Sequence, residues 1–497
     1  MKLSSLLTSG FWTTYGALGT RLLVLLSNLI LARLLLPSEF GVISVAYIFW
    51  SFLNLFTQGT INSFIVYKGI EDQRYLNTTY TIAIARGLML AVAMVAISPL
   101  AANFFGVPDL VWILIVFAFN LVVASIQSVY QGVLTRQMRY REIAHATIIA
   151  SLVRVVSTTG CAFIGLSYWS FVVGDAAFWF IEYWISRRHV EHKFRLQIDP
   201  QASSEVLSFC FGATGSSLGF YVNANGDNFV IGKLLGNTNL GYYNFAYQLT
   251  QTINTVMGEV INQVGMSSFA QLENDEQQQS VLVTMVEQMA FLGAPLYALF
   301  FLVVDDQLIS MIFGQKWVPA CQVIPWLLVF AYFRLINNSL INMLAAKGRT
   351  GINAKVNLMI APVAFLSFII GAEQAGILGV GIAVTFVLGI VWTVYWWWVA
   401  CGALGWPLIK FLLPCFKAAV IVLLAIVSCL GLPTILKPFL FMSLYIVCMR
   451  LIAAKQFLSY QSLLGKLANQ LTKLGKSQLS ANNSVNLLKV RLTEFTV

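Results

Sequence analysis

Apolar residues occur in long blocks that are separated by short polar connections. About fourteen of these blocks have the length of roughly 20 residues that an α-helix needs to cross a bilayer. They cover residues 11–35, 41–66, 78–101, 110–133, 144–166, 168–186, 209–232, 241–268, 282–304, 320–345, 353–371, 375–399, 408–429 and 432–450. Runs such as Val111 to Asn120 do not alternate in polarity, as the strands of a membrane barrel would. The pattern therefore predicts an all-α polytopic membrane protein.

The composition agrees with this prediction and excludes a soluble enzyme. Of the 497 residues, 58% are hydrophobic and 10% are charged, whereas soluble domains carry roughly 25% charged residues. The seven cysteines are far apart in the sequence and no histidine lies near one, so we expect no zinc, haem or other cofactor. The net charge of +10 is typical of basic cytoplasmic loops and does not indicate a nucleic-acid partner.

Lysine and arginine are concentrated in alternate connections, which predicts the orientation of the chain. The basic connections contain Lys68, Arg74, Arg136, Arg139, Arg141, Arg187, Arg188, Lys193, Arg195, Lys347, Arg349, Lys355 and Lys410. The opposite connections contain only Arg33, Lys233, Lys316 and Lys437. Because positively charged loops remain cytoplasmic, the first set predicts the cytoplasmic side. With an even number of helices, both termini are expected in the cytoplasm.

The longest connection divides the predicted helices into two lobes. Residues 1–190 form the predicted N-lobe (helices 1–6), residues 191–208 a cytoplasmic linker, and residues 209–400 the C-lobe (helices 7–12). Residues 401–450 hold two further helices. Residues 451–497 form a basic tail whose leucines, from Leu463 to Leu474, suit either an amphipathic helix on the inner leaflet or a frayed end. The apolar stretch from Phe11 to Leu36 has no cleavage signature, so we expect it to be retained as the first helix.

A shift of 200 residues aligns the first two predicted helices with the seventh and eighth without a gap. Each of the following residues recurs 200 positions later: Leu7, Phe11, Thr14, Leu18, Gly19, Asn28, Leu34, Leu35, Gly41, Ala46, Tyr47, Asn54, Ile61 and Asn62. Shared apolar composition alone does not explain so many matches, and they favour an internal duplication. Because six helices separate the copies, both face the same way across the membrane. This is a parallel repeat, as in two-lobed transporters that work by alternating access.

Three segments carry a resemblance to a known family. They are NLILARLLLPSEFG at residues 28–41, its counterpart NFVIGKLLGNTNLGYY at residues 228–243, and IFGQKW at residues 312–317. Over essentially residues 5–450 the chain resembles the polysaccharide transporter (Wzx-type flippase) branch of the multidrug/oligosaccharidyl-lipid/polysaccharide exporter superfamily. The resemblance implies two six-helix lobes that flip an undecaprenyl-diphosphate-linked oligosaccharide across the bacterial inner membrane for surface polysaccharide biosynthesis. It also implies contact with membrane lipids and is compatible with other polysaccharide assembly proteins as partners.

Four arginines lie inside predicted spans: Arg21, Arg86, Arg154 and Arg334. Each is about eight to eleven residues from the cytoplasmic end of its span, or roughly 12 to 16 Å deep. A charge in the bilayer costs about 2.5 to 3.5 kcal/mol, so each arginine must face a cavity or a partner. Since the guanidinium group suits phosphate oxygens, we predict that the four bind the diphosphate of the substrate. The alternative for each is an ion pair between helices or a side chain that snorkels to the interface.

Buried acidic residues are candidates for coupling transport to H⁺ or Na⁺. Asp227 lies in the polar segment of the seventh span, and Glu259 lies near the middle of the eighth. The family resemblance implies a cation site in the second lobe, where the corresponding helices offer Asp227, Asn357 and Thr385. The eleventh span has no acidic residue, which weighs against a Na⁺ cage. The alternative for each carboxylate is a structural pair with an arginine, and the same holds for Asp175 and Glu182 of the sixth span.

The sequence leaves two further questions open. Asn54, Asn62, Asn254 and Asn262 occur at matching positions of the repeat and either line a cavity or join helices. Two other functions share this composition: a cation-coupled multidrug exporter of the same fold, and a membrane enzyme that polymerises or ligates lipid-linked sugars. Buried arginines do not suit amphipathic cations, and the short outer connections contain no histidine for catalysis. Both alternatives rank below a flippase.

Overall fold

The computed structural model describes residues 3–57, 60–215, 218–270, 274–429, 431, 433 and 436–458, and regular structure in these ranges is helical. The α-helices are α1 (Leu3–Leu34), α2 (Pro37–Asn54), α3 (Thr60–Lys68), α4 (Gln73–Phe105), α5 (Leu110–Arg136), α6 (Tyr140–Phe163), α7 (Trp169–His189), α8 (Pro200–Gly215), α9 (Leu218–Leu234), α10 (Gly236–Ala270), α11 (Asp275–Val303), α12 (Asp306–Phe313), α13 (Ile324–Ala346), α14 (Thr350–Ala383), α15 (Trp392–Leu404), α16 (Ile409–Val427) and α17 (Lys437–Ile452). A 3₁₀ segment (Gln315–Gln322) precedes α13, and a π-helical segment (Val384–Val391) joins α14 to α15. The predicted amphipathic tail beyond residue 458 lies outside the described residues.

Each apolar block overlaps one or two of these helices. Seven helices in the described ranges are long and apolar enough to cross a membrane: Gln73–Phe105, Leu110–Arg136, Tyr140–Phe163, Asp275–Val303, Ile324–Ala346, Gly351–Leu404 and Ile409–Val427. Large apolar side chains on their surfaces are exposed, such as Val92 on α4 and Val427 on α16. Apolar exposure of this kind fits a surface that contacts lipid. The protein is therefore an all-helical polytopic membrane protein, while the count of fourteen crossings stays a prediction.

The second and seventh predicted spans each contain two helices, α2 with α3 and α8 with α9. The eleventh and twelfth spans follow each other through Ala375 and Gly376, whose backbone angles leave the helical range. Gly376 has a φ of +59°, which glycine adopts easily because it has no Cβ atom. Next to this turn the backbones of Gly371 and Gly379 touch, so that a Cβ atom on Gly379 would lie 2.0 Å from the carbonyl oxygen of Gly371.

The two copies of the repeat pack directly against each other through α2 and α10. A Cβ atom on Gly41 would lie 1.8 Å from the carbonyl oxygen of Asn237, and one on Gly241 would lie 1.8 Å from that of Pro37. Since residues 37 and 41 correspond to residues 237 and 241 in the repeat, the contact is reciprocal. Reciprocal contacts are what a two-fold axis between the copies requires. They support the predicted repeat, and they explain why glycine occupies both positions.

The predicted linker and the first part of the seventh span lie against the N-lobe. Polar side chains of α4 accept hydrogen bonds from three backbone amides of the linker, at 3.0 Å each. Glu205 on α8 accepts hydrogen bonds from Lys68 of α3 and Tyr75 of α4. The bond from Lys68 holds the pKa of Glu205 below its usual range. Thus α8 contacts the N-lobe, although its second part belongs to the predicted C-lobe by sequence. The domain boundaries stay predictions.

Candidate functional site

Arg154 belongs to a buried triad in the N-lobe. Its Nε atom lies 2.7 Å from Oδ1 of Asp175, which links α6 to α7. The hydroxyl group of Tyr47 on α2 donates a hydrogen bond of 2.6 Å to Oδ2 of Asp175 and accepts one of 3.3 Å from Arg154. Asp175 is only 9% exposed, whereas 28% of the Arg154 side chain is exposed. The pair between helices is therefore present, and the Arg154 side chain stays partly exposed.

The C-lobe contains a related arrangement in which the carboxylate has no arginine partner. Arg334 on α13 donates a hydrogen bond to the hydroxyl group of Tyr247 on α10. One turn away on α10, Tyr243 donates a hydrogen bond of 2.7 Å to Oδ2 of Asp227. Oδ1 of Asp227 accepts a second bond of 2.7 Å from the backbone N–H of Asn228. Among the described residues no cation forms an ion pair with Asp227, which is 3% exposed.

Tyr47 and Tyr247 have the same role in these two arrangements. They occupy matching positions of the repeat, and each accepts a hydrogen bond from one predicted substrate-binding arginine. The arginines themselves lie on helices that do not correspond, α6 and α13. Both tyrosines were visible among the repeat matches, but nothing in the sequence identified them as partners of Arg154 and Arg334. The structure adds these tyrosines to the predicted site.

The other two predicted arginines, Arg86 and Arg21, lie on different helices, α4 and α1. Arg86 on α4 donates hydrogen bonds to Oγ1 of Thr60 at 2.8 Å and to the carbonyl oxygen of Thr57 at 3.3 Å. Its Nε atom is buried without a hydrogen-bond partner in the described structure. Arg86 thus bonds to the connection between α2 and α3 and to the first residue of α3. Arg21 lies partly exposed on α1.

The predicted cation-site residues are all in the C-lobe, but no described hydrogen bond joins Asp227 to the other two. Asn357 on α14 accepts a hydrogen bond of 3.0 Å from Asn223, which lies one turn before Asp227 on α9. Thr385 donates instead to the carbonyl oxygens of Trp326 and Gly381. The side chain of Glu259 lies outside the described residues. The proposed cation site therefore has Asp227 as its one described acidic member.

Polar side chains meet at the seam between the two copies of the repeat. Asn28 on α1 donates a hydrogen bond of 2.6 Å to Oε1 of Gln248 on α10. On the other side of the axis, Tyr221 of α9 donates one of 2.6 Å to the carbonyl oxygen of Ile48 on α2. Ser51 of α2 lies 3.4 Å from Oδ1 of Asn225. These contacts join the lobes close in sequence to Tyr47 and Tyr247.

At the predicted outer end, basic side chains hold the lobes together. Arg33 donates hydrogen bonds of 2.8 Å to the carbonyl oxygens of Met311 and Ile312. Its repeat counterpart Lys233 donates one of 2.8 Å to the carbonyl oxygen of Phe104. Lys316 and Trp317, from the IFGQKW segment, donate to backbone carbonyls of residues 32, 33 and 35. We call Arg33, Lys233, Lys316 and Trp317 the outer closure.

These features define a class of protein: a polytopic helical membrane protein with polar contacts between its two predicted lobes and with arginine, tyrosine and carboxylate side chains that bond to one another between its helices. The chain also matches a family model. Residues 30–322 match the family described as polysaccharide biosynthesis protein. Because this match covers more than half of the chain, the protein belongs to that family.

Curated relatives agree with this membership. The lipopolysaccharide biosynthesis protein WzxC of Escherichia coli (strain K12) is 23% identical over 387 residues, which cover 74% of this chain and 75% of WzxC. The teichuronic acid biosynthesis protein TuaB of Bacillus subtilis (strain 168) is 25% identical, over 57% of this chain and 59% of TuaB. The succinoglycan biosynthesis transport protein ExoT of Rhizobium meliloti (strain 1021) is 24% identical, over 63% of each chain.

Solved structures show the same fold. The lipid II flippase MurJ in an inward closed conformation superposes with a TM-score of 0.73 at 13% identity, covering 89% of this chain and 99% of MurJ. An inward-facing multidrug resistance MATE family transporter of the MOP superfamily gives a TM-score of 0.52 at 14% identity, over 84% and 96% of the two chains.

Proposed function

We propose that the protein flips an undecaprenyl-diphosphate-linked oligosaccharide from the inner to the outer leaflet of the bacterial inner membrane, for surface polysaccharide biosynthesis. Membership of the polysaccharide biosynthesis family carries this proposal. The named transport role of ExoT and the flippase role of MurJ point to transport rather than to an enzyme. Both termini would then lie in the cytoplasm.

The geometry supports an alternating-access mechanism. The outer closure holds the lobes together at the predicted outer end, so the substrate would enter from the cytoplasmic leaflet. Arg154 donates a hydrogen bond to Tyr47 on α2 and Arg334 donates one to Tyr247 on α10, and α2 packs against α10. A diphosphate has several oxygens that two guanidinium groups bind from two sides. Release outward then requires that the closure opens while the lipid tail stays in the bilayer.

The multidrug exporter is the weaker alternative. The fold likeness to a MATE transporter is real but smaller than that to MurJ. An exporter of amphipathic cations needs an apolar or acidic binding surface, whereas Arg154 carries a positive charge on a side chain that is 28% exposed. The relatives named above concern polysaccharide biosynthesis, which also favours an anionic lipid-linked glycan.

The proposal is tested in cells of the source bacterium that lack the gene. They should accumulate lipid-linked glycan on the inner leaflet and lose surface glycan, and the wild-type chain should restore both. We expect Arg334→Ala to lower export about 10- to 100-fold, because a charge-assisted contact to the diphosphate is lost. Arg334→Lys should rescue partially, since it restores the charge but not the fork. Arg188→Ala is the control, because Arg188 lies over Trp184 on the exposed side of α7.

Normal export in alanine variants of all four arginines, Arg21, Arg86, Arg154 and Arg334, would remove them from substrate binding. If a different transporter restored glycan export in the cells that lack the gene and this chain did not, the flippase role itself would be contradicted. Each variant must first be brought to equal abundance in the membrane.

Asp227 is the residue through which we propose that a cation gradient drives transport. Its carboxylate is buried with a hydroxyl group and a backbone amide as its described partners, so an incoming H⁺ or Na⁺ would stabilise it. Asp175 is different, because Arg154 already balances its charge. We expect Asp227→Asn to abolish the dependence of export on the ion gradient while binding of undecaprenyl diphosphate stays within about two-fold. Unchanged gradient dependence, measured with ionophores in inverted vesicles, would exclude Asp227.

A further inference from the structure

A polar cavity lies inside the predicted N-lobe, between α2, α3, α5 and α7. Its volume is about 460 Å³, within the range of roughly 300 to 1,000 Å³ of small-molecule sites. Its lining consists of Asn54, Thr57, Asn62, Ala124, Gln127, Ser128, Gln131, Phe178, Trp179 and Glu182. We call this space the N-lobe cavity. None of the four predicted substrate arginines lines it.

Among the described residues that line the cavity, a carboxylate is the one charged group. Glu182 is 7% exposed, and Oε1 accepts a hydrogen bond of 3.0 Å from Thr147. No lysine or arginine lies within ion-pair distance of it among the described residues. A buried carboxylate without a cation keeps most of its acceptor capacity for a ligand. Neighbouring hydroxyl groups of a sugar are neutral donors that satisfy such a group.

Amide side chains complete the polar part of the wall. Gln127 is 3% exposed and Asn54 is 6% exposed, and Asn62 and Gln131 are partly exposed. The described partner of the Gln127 amide nitrogen is the Ser186 hydroxyl at 3.5 Å, which is a weak bond. Amides both donate and accept, as the hydroxyl groups of a sugar do. The wall therefore suits a polyhydroxylated ligand better than an anion.

An aromatic surface stands beside these polar groups. The ring of Trp179 contacts Trp50, with centroids 5.8 Å apart, and Phe178, with centroids 5.4 Å apart. This packing fixes the indole ring while leaving it partly exposed to the cavity. A rigid aromatic face beside convergent hydrogen-bonding groups binds a sugar ring, whose axial C–H groups form an apolar face.

Asn54 and its repeat counterpart Asn254 have different surroundings. Asn254, the counterpart of Asn54, donates a hydrogen bond of 3.1 Å to the carbonyl oxygen of Ala331 and so joins α10 to α13. Asn54 makes no such bond between helices in the described part, and bonds locally to Thr57. The side chain of Asn262, the counterpart of Asn62, lies outside the described residues. The same amide thus lines a cavity at Asn54 and joins helices at Asn254.

We propose that the N-lobe cavity binds sugar rings of the transported glycan, with Glu182 and Trp179 as its specificity-determining residues. This inference rests on the proposed function and adds where the glycan lies. Gln131 and Gln127 are five and nine residues from the end of α5 at Arg136, or roughly 8 to 14 Å along the helix. The cavity is therefore in the predicted cytoplasmic half, on the side from which the substrate enters.

The test compares two lipids that differ in the glycan. Purified full-length protein in nanodiscs is titrated with undecaprenyl diphosphate and with the lipid-linked glycan fraction extracted from the source bacterium. The wild type should bind the glycan-bearing lipid about ten-fold more tightly, the effect of one or two good hydrogen bonds. Glu182→Gln and Trp179→Leu should each remove most of that difference and leave binding of undecaprenyl diphosphate unchanged. Trp179→Phe should retain part of it.

Matched controls lie at exposed positions. Trp184→Leu changes a tryptophan of the same helix that is 42% exposed, and Glu373→Gln changes an exposed glutamate. Both should bind the two lipids as the wild type does. Equal binding of both lipids by the wild type, or an undiminished difference in Glu182→Gln and Trp179→Leu, would overturn the sugar site. Failure of the wild type to bind either lipid would instead contradict the proposed function, and the sugar site with it.

Discussion

Replacement of Arg154 by alanine is expected to lower the free energy of unfolding by about 3 to 5 kcal/mol, because it leaves a buried carboxylate without its cation. Asp175 is 9% exposed, and Arg154 is its one cationic partner among the described residues. The loss should be measured by thermal unfolding of the purified protein in detergent. Tyr47→Phe should cost less, about 1.5 to 3 kcal/mol, since it removes hydrogen bonds to the charged pair but leaves the pair itself in place. An unchanged unfolding temperature in Arg154→Ala would contradict the ion pair.

A double variant separates the structural role of Arg154 from its role in binding. Replacing Arg154 and Asp175 together by leucine should restore most of the stability, since an apolar pair often substitutes for a buried ion pair. Export should stay lost, because the guanidinium group that we propose to bind the diphosphate is absent. Normal export by a stable double variant would show that Arg154 serves only to hold α6, α7 and α2 together.

Cross-linking the two lobes at the seam is expected to stop export completely. The side chains of Asn28 and Gln248 meet at 2.6 Å across the α1–α10 interface, so cysteines at these positions should react with a short bifunctional thiol reagent. The seven native cysteines are first replaced by serine or alanine. Alternating access requires the lobes to separate on the outer side, and a covalent link forbids that movement. A reagent that a reductant cleaves should restore export on reduction.

The control for this experiment places two cysteines within one lobe. Lys347 and Asp275 form an ion pair between α13 and α11, at the predicted cytoplasmic ends of these helices. Cysteines there should cross-link equally well and leave export within about two-fold of the uncross-linked chain, since helices of one lobe move together. Full export after quantitative cross-linking of Asn28→Cys and Gln248→Cys would exclude separation of the lobes at this seam.

The helices, the family resemblance and the existence of buried charges could be predicted from the chain. A helix satisfies its backbone hydrogen bonds internally, so an apolar block of about 20 residues has few other structures available in lipid. The partners of those charges could not be predicted. Lipid-facing and protein-facing sides of a membrane helix are both apolar, so periodicity does not indicate which neighbour a side chain such as Arg154 meets.

The sequence by itself determined the membrane environment, the order of the helices and the family, because long apolar blocks and the motifs at residues 28–41 and 312–317 are local features. Only the tertiary structure decided that Arg154 pairs with Asp175, that Arg334 bonds Tyr247, and that Asn54 lines a cavity while Asn254 bonds α13. The ion pair and the two hydrogen bonds join residues that are 21, 87 and 77 positions apart in the sequence. The rotation and the neighbours of their helices are set by packing. A repeat specifies equal side chains, but their roles follow from the different helices that surround each copy.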